Sequence, residues 1–329
     1  MPVPESATAF LAGLITRARL CQKRIVFPEG SDPRVIEAAS RLTREGVLQP
    51  ILIGLPPRLA PAGVIFIDPA SSALTSRYAS LYYERRRAKG ITQIEAAETA
   101  RRPLYFASLM VAAGDADGTV AGAANTTAET VRAALHSVGP APGVRAVSSV
   151  FIMAVHNAEF GHKGLLAFAD CAIVIEPTAS QLAEIAIATA GSTRTLMGAE
   201  PAVALLSFST KGSGNHRQVE QVVEAMRILR ERAPQLNVDG ELQADAALAS
   251  AVGRSKAPGS TVAGRANTLI FPNLASGNIG YKLVERLGDA VAMGPFLQGL
   301  AKPANDLSRG CSADDVFNAA VVTAIQSMA

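Results

Sequence analysis

The sequence predicts two α/β domains, each built on a mostly parallel sheet, and three observations predict it. Short apolar runs, such as Ile51-Leu52-Ile53 before Gly54 and Ala202-Val203-Ala204-Leu205-Leu206, alternate with longer helical segments. That alternation is the pattern of parallel strands joined by crossover helices. The chain has 329 residues, 49% of them hydrophobic, enough for two cores. Between the halves stands Val138-Gly139-Pro140-Ala141-Pro142-Gly143-Val144, the strongest linker signal in the chain.

The elements follow in order. Residues 5–20 read as an amphipathic helix and residues 24–29 as a short strand ending at Gly30. Asp32 and Pro33 supply an N-cap and a first helical residue for a helix that runs to Gly46. Residues 51–54 and 64–68 are strands; residues 72–113 are mainly helical, broken at Gly90 and Pro103. Residues 118–123 form the next strand, with Asn125, Thr126 and Thr127 at its carboxyl end and Thr127 as the cap of a helix over 128–137. Ligands of open α/β sheets bind beyond the carboxyl ends of strands, so Asn125, Thr126 and Arg132 are phosphate-pocket candidates. Ordinary capping beside a solvated arginine explains the same residues.

In the second half, residues 147–155 and 165–175 carry strands, and residues 178–198 form a helix capped by Thr178. The strand over 202–208 runs into Ser209-Thr210-Lys211-Gly212-Ser213-Gly214 and a helix across 219–231. That turn lacks the Gly/Lys spacing of a P-loop. A strand over 237–242, a helix to about Gly253, a strand over 268–271, a helix from about Ser276 and a strand over 290–297 follow. The last helix takes residues 312–328.

Composition removes several functional classes. A net charge of +3 with no long basic block other than Arg85-Arg86-Arg87 and Lys89 does not suggest nucleic-acid binding. Cys21, Cys171 and Cys311 are scattered, with no ligand spacing among them or the four histidines, so neither a metal nor a disulfide framework is expected. No signal-peptide layout and no apolar run of membrane-spanning length are seen, which reads as a cytoplasmic protein without a membrane partner.

The stretch over residues 300–316 concentrates chemistry. After Pro303 come Asp306, Ser308, Arg309, Gly310 and Cys311, then Ser312-Ala313-Asp314-Asp315 ahead of an apolar run. Ser312 and Asp315 have the spacing of a capping box, which puts Ser308 and Arg309 at the positive end of a helix dipole. A capped surface helix and an anion site fit these residues equally well.

Resemblance separates the two. Asn305-Asp306-Leu307-Ser308-Arg309-Gly310-Cys311-Ser312 resembles the signature of the phosphate acetyl/butyryltransferase family, the phosphotransacetylases. Similar blocks run along nearly the whole chain: residues 24–30, 122–127, 206–213, 239–243, 255–260, 271–273 and 277–283. The resemblance implies two three-layer α/β/α domains with an interdomain cleft, as in isocitrate and isopropylmalate dehydrogenases. It implies that the C-terminal segment returns to the first domain, giving residues 1–143 with 298–329, and residues 144–297 as the coenzyme A side. It implies a homodimer, with coenzyme A and acetyl phosphate (or acetyl-CoA and phosphate) as substrates and no permanently bound cofactor.

The implied reaction is reversible acetyl transfer from acetyl phosphate to the coenzyme A thiol. The family base corresponds to Asp315, with Asp314 a possible substitute; Arg309 holds the phosphate, and Ser308 donates to the carbonyl oxygen as it becomes an oxyanion. Arg86 and Arg132 match further anion-binding arginines, and Lys256 and Lys282 match residues lining the coenzyme A site. With reference groups, moving a proton from thiol to Asp is uphill by about 6 kcal/mol. A carboxylate held in a capping box is a weaker base still, so the site has to be dried and the thiolate stabilised by Arg309 and the helix end. Two readings compete within this chemistry and beyond it: a butyryl or other short-chain phosphate acyltransferase, and a non-catalytic acetyl-CoA-sensing domain. A dehydrogenase is a third, without the dinucleotide fingerprint to support it.

Overall fold

The computed structural model describes residues 3–328. The chain divides into two compact units. One unit, outer in chain order, comprises Ala12–Pro142 and the chain from Leu300 on; the other, central in chain order, comprises the chain up to Leu11 and Gly143–Gly299. Helix α1 (Glu5–Cys21) spans the division at Leu11, its first residues counting with the central unit and not with the segment that follows, and the hydroxyl of Ser6 donates to Val155 O there at 3.2 Å.

The outer unit is built on a five-stranded sheet in which every pair is parallel. Numbered along the whole chain, its strands are β1 (Arg24–Phe27), β2 (Gln49–Ile53), β3 (Ile65–Ile67), β4 (Gly118–Ala121) and β11 (Ala304–Asp306), in the order β11-β4-β1-β2-β3. Helices α2 (Pro33–Arg44) and α12 (Ala313–Gln326) pack on each other and on the sheet. Helix α5 (Pro103–Ala113) also lies on the sheet and carries α3 (Leu74–Arg86), α4 (Gln93–Ala100) and α6 (Thr127–Ser137). Its sequence is apolar on every side, and Tyr105 through Val111 are buried, as a helix enclosed between a sheet and other helices must be. Val26, Ile51, Tyr78, Phe106 and Leu109 form the core between them.

The central unit holds a six-stranded sheet in the order β10-β5-β6-β9-β7-β8. Its strands are β5 (Ser148–Ala154), β6 (Leu165–Ala169), β7 (Val203–Leu206), β8 (Val238–Leu242), β9 (Thr268–Ile270) and β10 (Val291–Gln298). Pairing is antiparallel at β10–β5 and β5–β6 and parallel elsewhere. Every residue of β5, β6, β7 and β9 is buried, so both faces of the sheet are covered. Helices α7 (Ala179–Ser192) and α8 (Arg217–Arg232) pack together on it, α9 (Ala244–Leu248) packs on β7 and α10 (Ser250–Lys256), and α11 (Leu274–Leu287) packs on β6 and β10.

Four expectations change. The strand begun at Leu165 stops at Ala169, because the Asp170 carboxylate turns the chain by accepting from the amides of Ala172, Ile173 and Val174. Helix α7 ends at Ser192, and a π-helical turn over Thr193–Met197 completes the segment. The single helix expected after β8 is two, broken at Ala249, whose extended backbone begins the second. Residues 304–306, where no element was expected, are strand β11 on the edge of the outer sheet.

Candidate active site

Strand β11 delivers the signature residues to the carboxyl end of the outer sheet. Asp306 pairs in register with Ala121 of β4, and Leu307 N donates to Ala121 O at 2.7 Å. The chain then leaves the sheet, exposing Ser308, Arg309 and Gly310, and enters α12. There the expected capping box is present: Ser312 Oγ accepts from Asp315 N at 3.2 Å, while Asp315 Oδ2 accepts from Ser312 N and Oγ, both at 2.8 Å. Asp315 Oδ1 has no partner among the described residues. Asp314 differs from its neighbour, because it is ion-paired with Arg41 of α2. Cys311 is buried, which pushes its thiol above the ordinary range and suits packing, not nucleophilic attack.

The β4–α6 turn lies beside this loop, but its anion-binding groups are already occupied. Glu29, at the end of β1, accepts from the backbone amides of Gly122, Ala123, Ala124 and Asn125 at 2.9–3.1 Å and from Asn125 Nδ2 at 2.7 Å. The cap of α6 is Thr126 and not Thr127: Thr126 Oγ1 accepts from Glu129 N, and the Glu129 carboxylate takes both the N–H and the hydroxyl of Thr126. The amide donors of Asn125 and Thr126 thus serve the protein's own carboxylates. Thr127 instead donates to Asp306 Oδ2 at 2.6 Å. Gly122 permits this approach: its φ is +107°, and a Cβ would run into the Leu307 backbone and the Asp306 carboxylate.

Arg34, in the first turn of α2, fastens the two loops together. It donates to Arg309 O at 2.8 Å and Cys311 O at 2.9 Å with Nη1, and to Ala123 O at 2.7 Å with Nη2. Asp32, the α2 cap, holds the guanidinium from behind. Neither Glu29 nor Arg34 stood out in the sequence. Their partners lie about 90 and 275 positions away, beyond any local pattern.

Asp306 is a buried carboxyl of the cluster with a raised pKa. Burial, reinforced by the charge of Glu29 and opposed by the Thr127 hydroxyl, raises its pKa from 3.8 to about 6. Its Oδ1 and the nearby Thr130 hydroxyl are both buried and fall outside strict hydrogen-bond geometry, although the hydroxyl still favours the ionised carboxylate. A carboxyl whose folded pKa is raised contributes stability while protonated, and that contribution is lost as pH rises from about 4 through about 6. A shift of this size corresponds to at most roughly 3 kcal/mol. Asp306→Asn removes the proton linkage, so the stability gap between wild type and variant should move in the variant's favour from pH 4 to pH 7. Urea unfolding across that range reads it, and a pH-independent gap would show that Asp306 does not titrate there.

The arginines sort by their engagements. Arg85 donates to Val138 O and Arg87 pairs with Glu84, leaving Arg86 between them with no ion pair among the described residues. Arg86 and Arg132 together lower the pKa of His136, after burial. In the central unit, Lys256 donates to Gln243 Oε1 at 3.0 Å and Asp245 Oδ2 at 2.8 Å, and Lys282 lies 5.8 Å from the centre of the Tyr281 ring.

Comparison with known proteins converges on one group. Residues 9–324 match the model of the phosphate acetyl/butaryl transferase family. The chain is 48% identical to the phosphate acetyltransferase of Acetivibrio thermocellus, over 97% of this chain and 98% of that one. Among solved structures it resembles a phosphotransacetylase from Streptococcus pyogenes, with a TM-score of 0.93 at 44% identity over 98% of this chain and 99% of that one. It also resembles the EutD phosphotransacetylase of Staphylococcus aureus, with a TM-score of 0.89 at 40% identity over 97% and 98%.

Proposed function

The chain belongs to the phosphate acetyl/butaryl transferase family, and from that premise we propose how its signature loop carries acyl transfer. The protein is a phosphate acetyltransferase, an acyltransferase that interconverts acetyl-CoA plus phosphate and coenzyme A plus acetyl phosphate. In the proposed mechanism Asp315 takes the thiol proton through Oδ1. The sulfur forms a bond to the acetyl carbonyl carbon, and the carbon–oxygen bond to phosphate breaks. Ser308 donates to the carbonyl oxygen as charge builds there, and Arg309 holds the phosphate that leaves. No acyl-serine forms, since the thiolate attacks directly. Lys256, Lys282, Arg86 and Arg132 are proposed to bind the coenzyme and the phosphate groups.

One observation supports this: the chain exposes Ser308 and Arg309 just ahead of the N-terminus of α12, and Asp315 in the first turn of that helix keeps Oδ1 outside its capping bonds, where a helix dipole favours both an anion and a developing thiolate. Thioester formation from acetyl, propionyl and butyryl phosphates tests it, with acetyl phosphate expected to give the highest kcat/KM. Preference for butyryl phosphate would move the protein to the longer-chain branch, and absence of turnover with all three would favour a sensing domain. Arg309→Gln should raise KM for the acyl phosphate about tenfold or more, the size of one charge-assisted contact. Unchanged kinetics would remove Arg309 from the site.

We also propose a cytoplasmic homodimer. The substrates are charged and water-borne. Ile279, Leu283 and Leu287 follow one another at helical spacing on α11, all exposed, a stripe suited to pairing with a second copy. Among the described residues no helix is long and apolar enough to cross a membrane. A solution mass near 34.1 kDa by light scattering would exclude the dimer.

A further inference from the structure

The outer unit holds a cavity of about 330 Å³ at the carboxyl ends of β1 and β4, lined by Glu29, Ser31, Asp32, Arg102, Ala124 and Asn125 among others. Its two carboxylates are already engaged. Glu29 is held by the four amides of residues 122–125 and the Asn125 side chain, and Asp32 by the Arg34 guanidinium. Arg102 is different: it is exposed, and among the described residues no carboxylate pairs with it. Its guanidinium carbon lies 5.3 Å from the centre of the Tyr105 ring, a contact that orients the side chain without neutralising it.

Arg102 also belongs to a group. Arg102 and Arg132 both act on the Glu129 carboxylate, and Arg102 and Arg86 both act on the Tyr82 hydroxyl. None of the three arginines has an ion pair among the described residues, and Glu129 is committed to its capping box. Glu129 is a single carboxylate against the positive charges of Arg86, Arg102 and Arg132, so the set keeps a net positive charge, which favours a bound anion. The amides of the β4–α6 turn do not satisfy that anion, because Glu29 and Glu129 already take them. The side-chain cations must, and Arg102 is the one that faces the cavity.

We propose that Arg102 binds a phosphate group of a substrate in this cavity, completing an arginine set with Arg86 and Arg132. The proposal rests on the acyltransferase function above and adds a residue and a pocket to it. The ligand group is a phosphate, carried by the acyl phosphate (and released as inorganic phosphate) or by the coenzyme's 3′-phosphate. A guanidinium suits either, since its fork of donors meets two phosphate oxygens at once.

The test uses Arg102→Gln and Arg102→Lys in the full chain. Steady-state kinetics is measured with acetyl phosphate, with coenzyme A and with dephospho-coenzyme A, and inorganic phosphate binding by titration calorimetry. Arg102→Gln should raise the relevant KM about tenfold or more while kcat stays within about threefold, the signature of lost uniform binding. Arg102→Lys should recover part of the loss. A rise in KM for acetyl phosphate with weaker inorganic phosphate binding assigns the acyl phosphate. A rise for coenzyme A that disappears with dephospho-coenzyme A assigns the 3′-phosphate. Unchanged KM values and unchanged phosphate binding in the glutamine variant overturn the proposal. Equal losses for all three substrates with a lowered melting temperature, not recovered by lysine, also overturn it, because they mark a structural role. If the wild type fails to turn over, the fault lies with the acyltransferase function, and calorimetry with inorganic phosphate still decides for or against Arg102.

Discussion

Glu29→Gln is expected to destabilise the outer unit by about 3–5 kcal/mol, a larger loss than most single substitutions cause. Oε1 of the carboxylate accepts from Gly122, Ala124 and Asn125 and from the Asn125 side chain, while Oε2 accepts from Ala123 at 2.9 Å. An amide has one oxygen. With that oxygen in the place of Oε1, its NH2 faces the Ala123 N–H, donor against donor in a buried site, at about 1–3 kcal/mol. The remaining bonds lose their ionic character, and charged hydrogen bonds are roughly twice as strong as neutral ones. Because the chain has two units, one global melting temperature averages over both. Amide hydrogen exchange at residues 122–125 is the sharper readout, and protection there should fall by about two or more powers of ten. Activity should drop too, since this turn bonds to Asp306 and, through Arg34, to the signature loop. A stability change under about 1 kcal/mol would mean that the turn holds itself without its carboxylate.

Which parts of this architecture were legible in the sequence follows from how far each signal reaches. The caps at Asp32, Thr178 and Ser312 were readable because each closes within three residues, and the structure shows all three. The same pattern, Thr126 with Glu129, is present at α6, where the expected cap was the adjacent Thr127; the glutamate three residues on favours Thr126. Strand β11 was not legible. Ala304, Asn305 and Asp306 show no apolar run, and their burial comes from pairing with β4, with Asn305 Nδ2 donating to Thr323 Oγ1 of α12. Within the run Arg85-Arg86-Arg87 only the resemblance singled out Arg86, and residue type alone did not; the structure adds that the first and last are bonded to Val138 O and Glu84. Glu29 and Arg34 organise the loops, yet each is a single charged residue beside a strand or cap, and nothing local marks it.

Asp315→Asn should lower kcat by about 10²–10⁴-fold, the usual contribution of a positioned base, with KM for coenzyme A nearly unchanged. The substitution separates chemistry from folding unusually well here. Asn keeps an oxygen that can accept from Ser312 N and Oγ, so the capping box survives in neutral form, and the stability loss should stay near 1 kcal/mol or below. What disappears is the open Oδ1 as a proton acceptor. Ser312→Ala supplies the complement: it strips the hydroxyl from the cap while leaving the carboxylate, so it should cost about 1 kcal/mol of stability but keep most of the turnover. A purely structural Asp315 would reverse that ranking. Asp314→Asn is the remaining control. Its carboxylate is ion-paired with Arg41, and its side chain is 74% exposed, so the variant should lose less than about 1 kcal/mol and little activity. If the loss of turnover instead follows Asp314→Asn alone, the base is the neighbouring residue, and Arg41 is the group that tunes it. If both variants retain full turnover, proton removal from the thiol needs no carboxylate at this helix end, and the stabilisation must come from Arg309 and the α12 dipole acting on a thiolate formed in solvent.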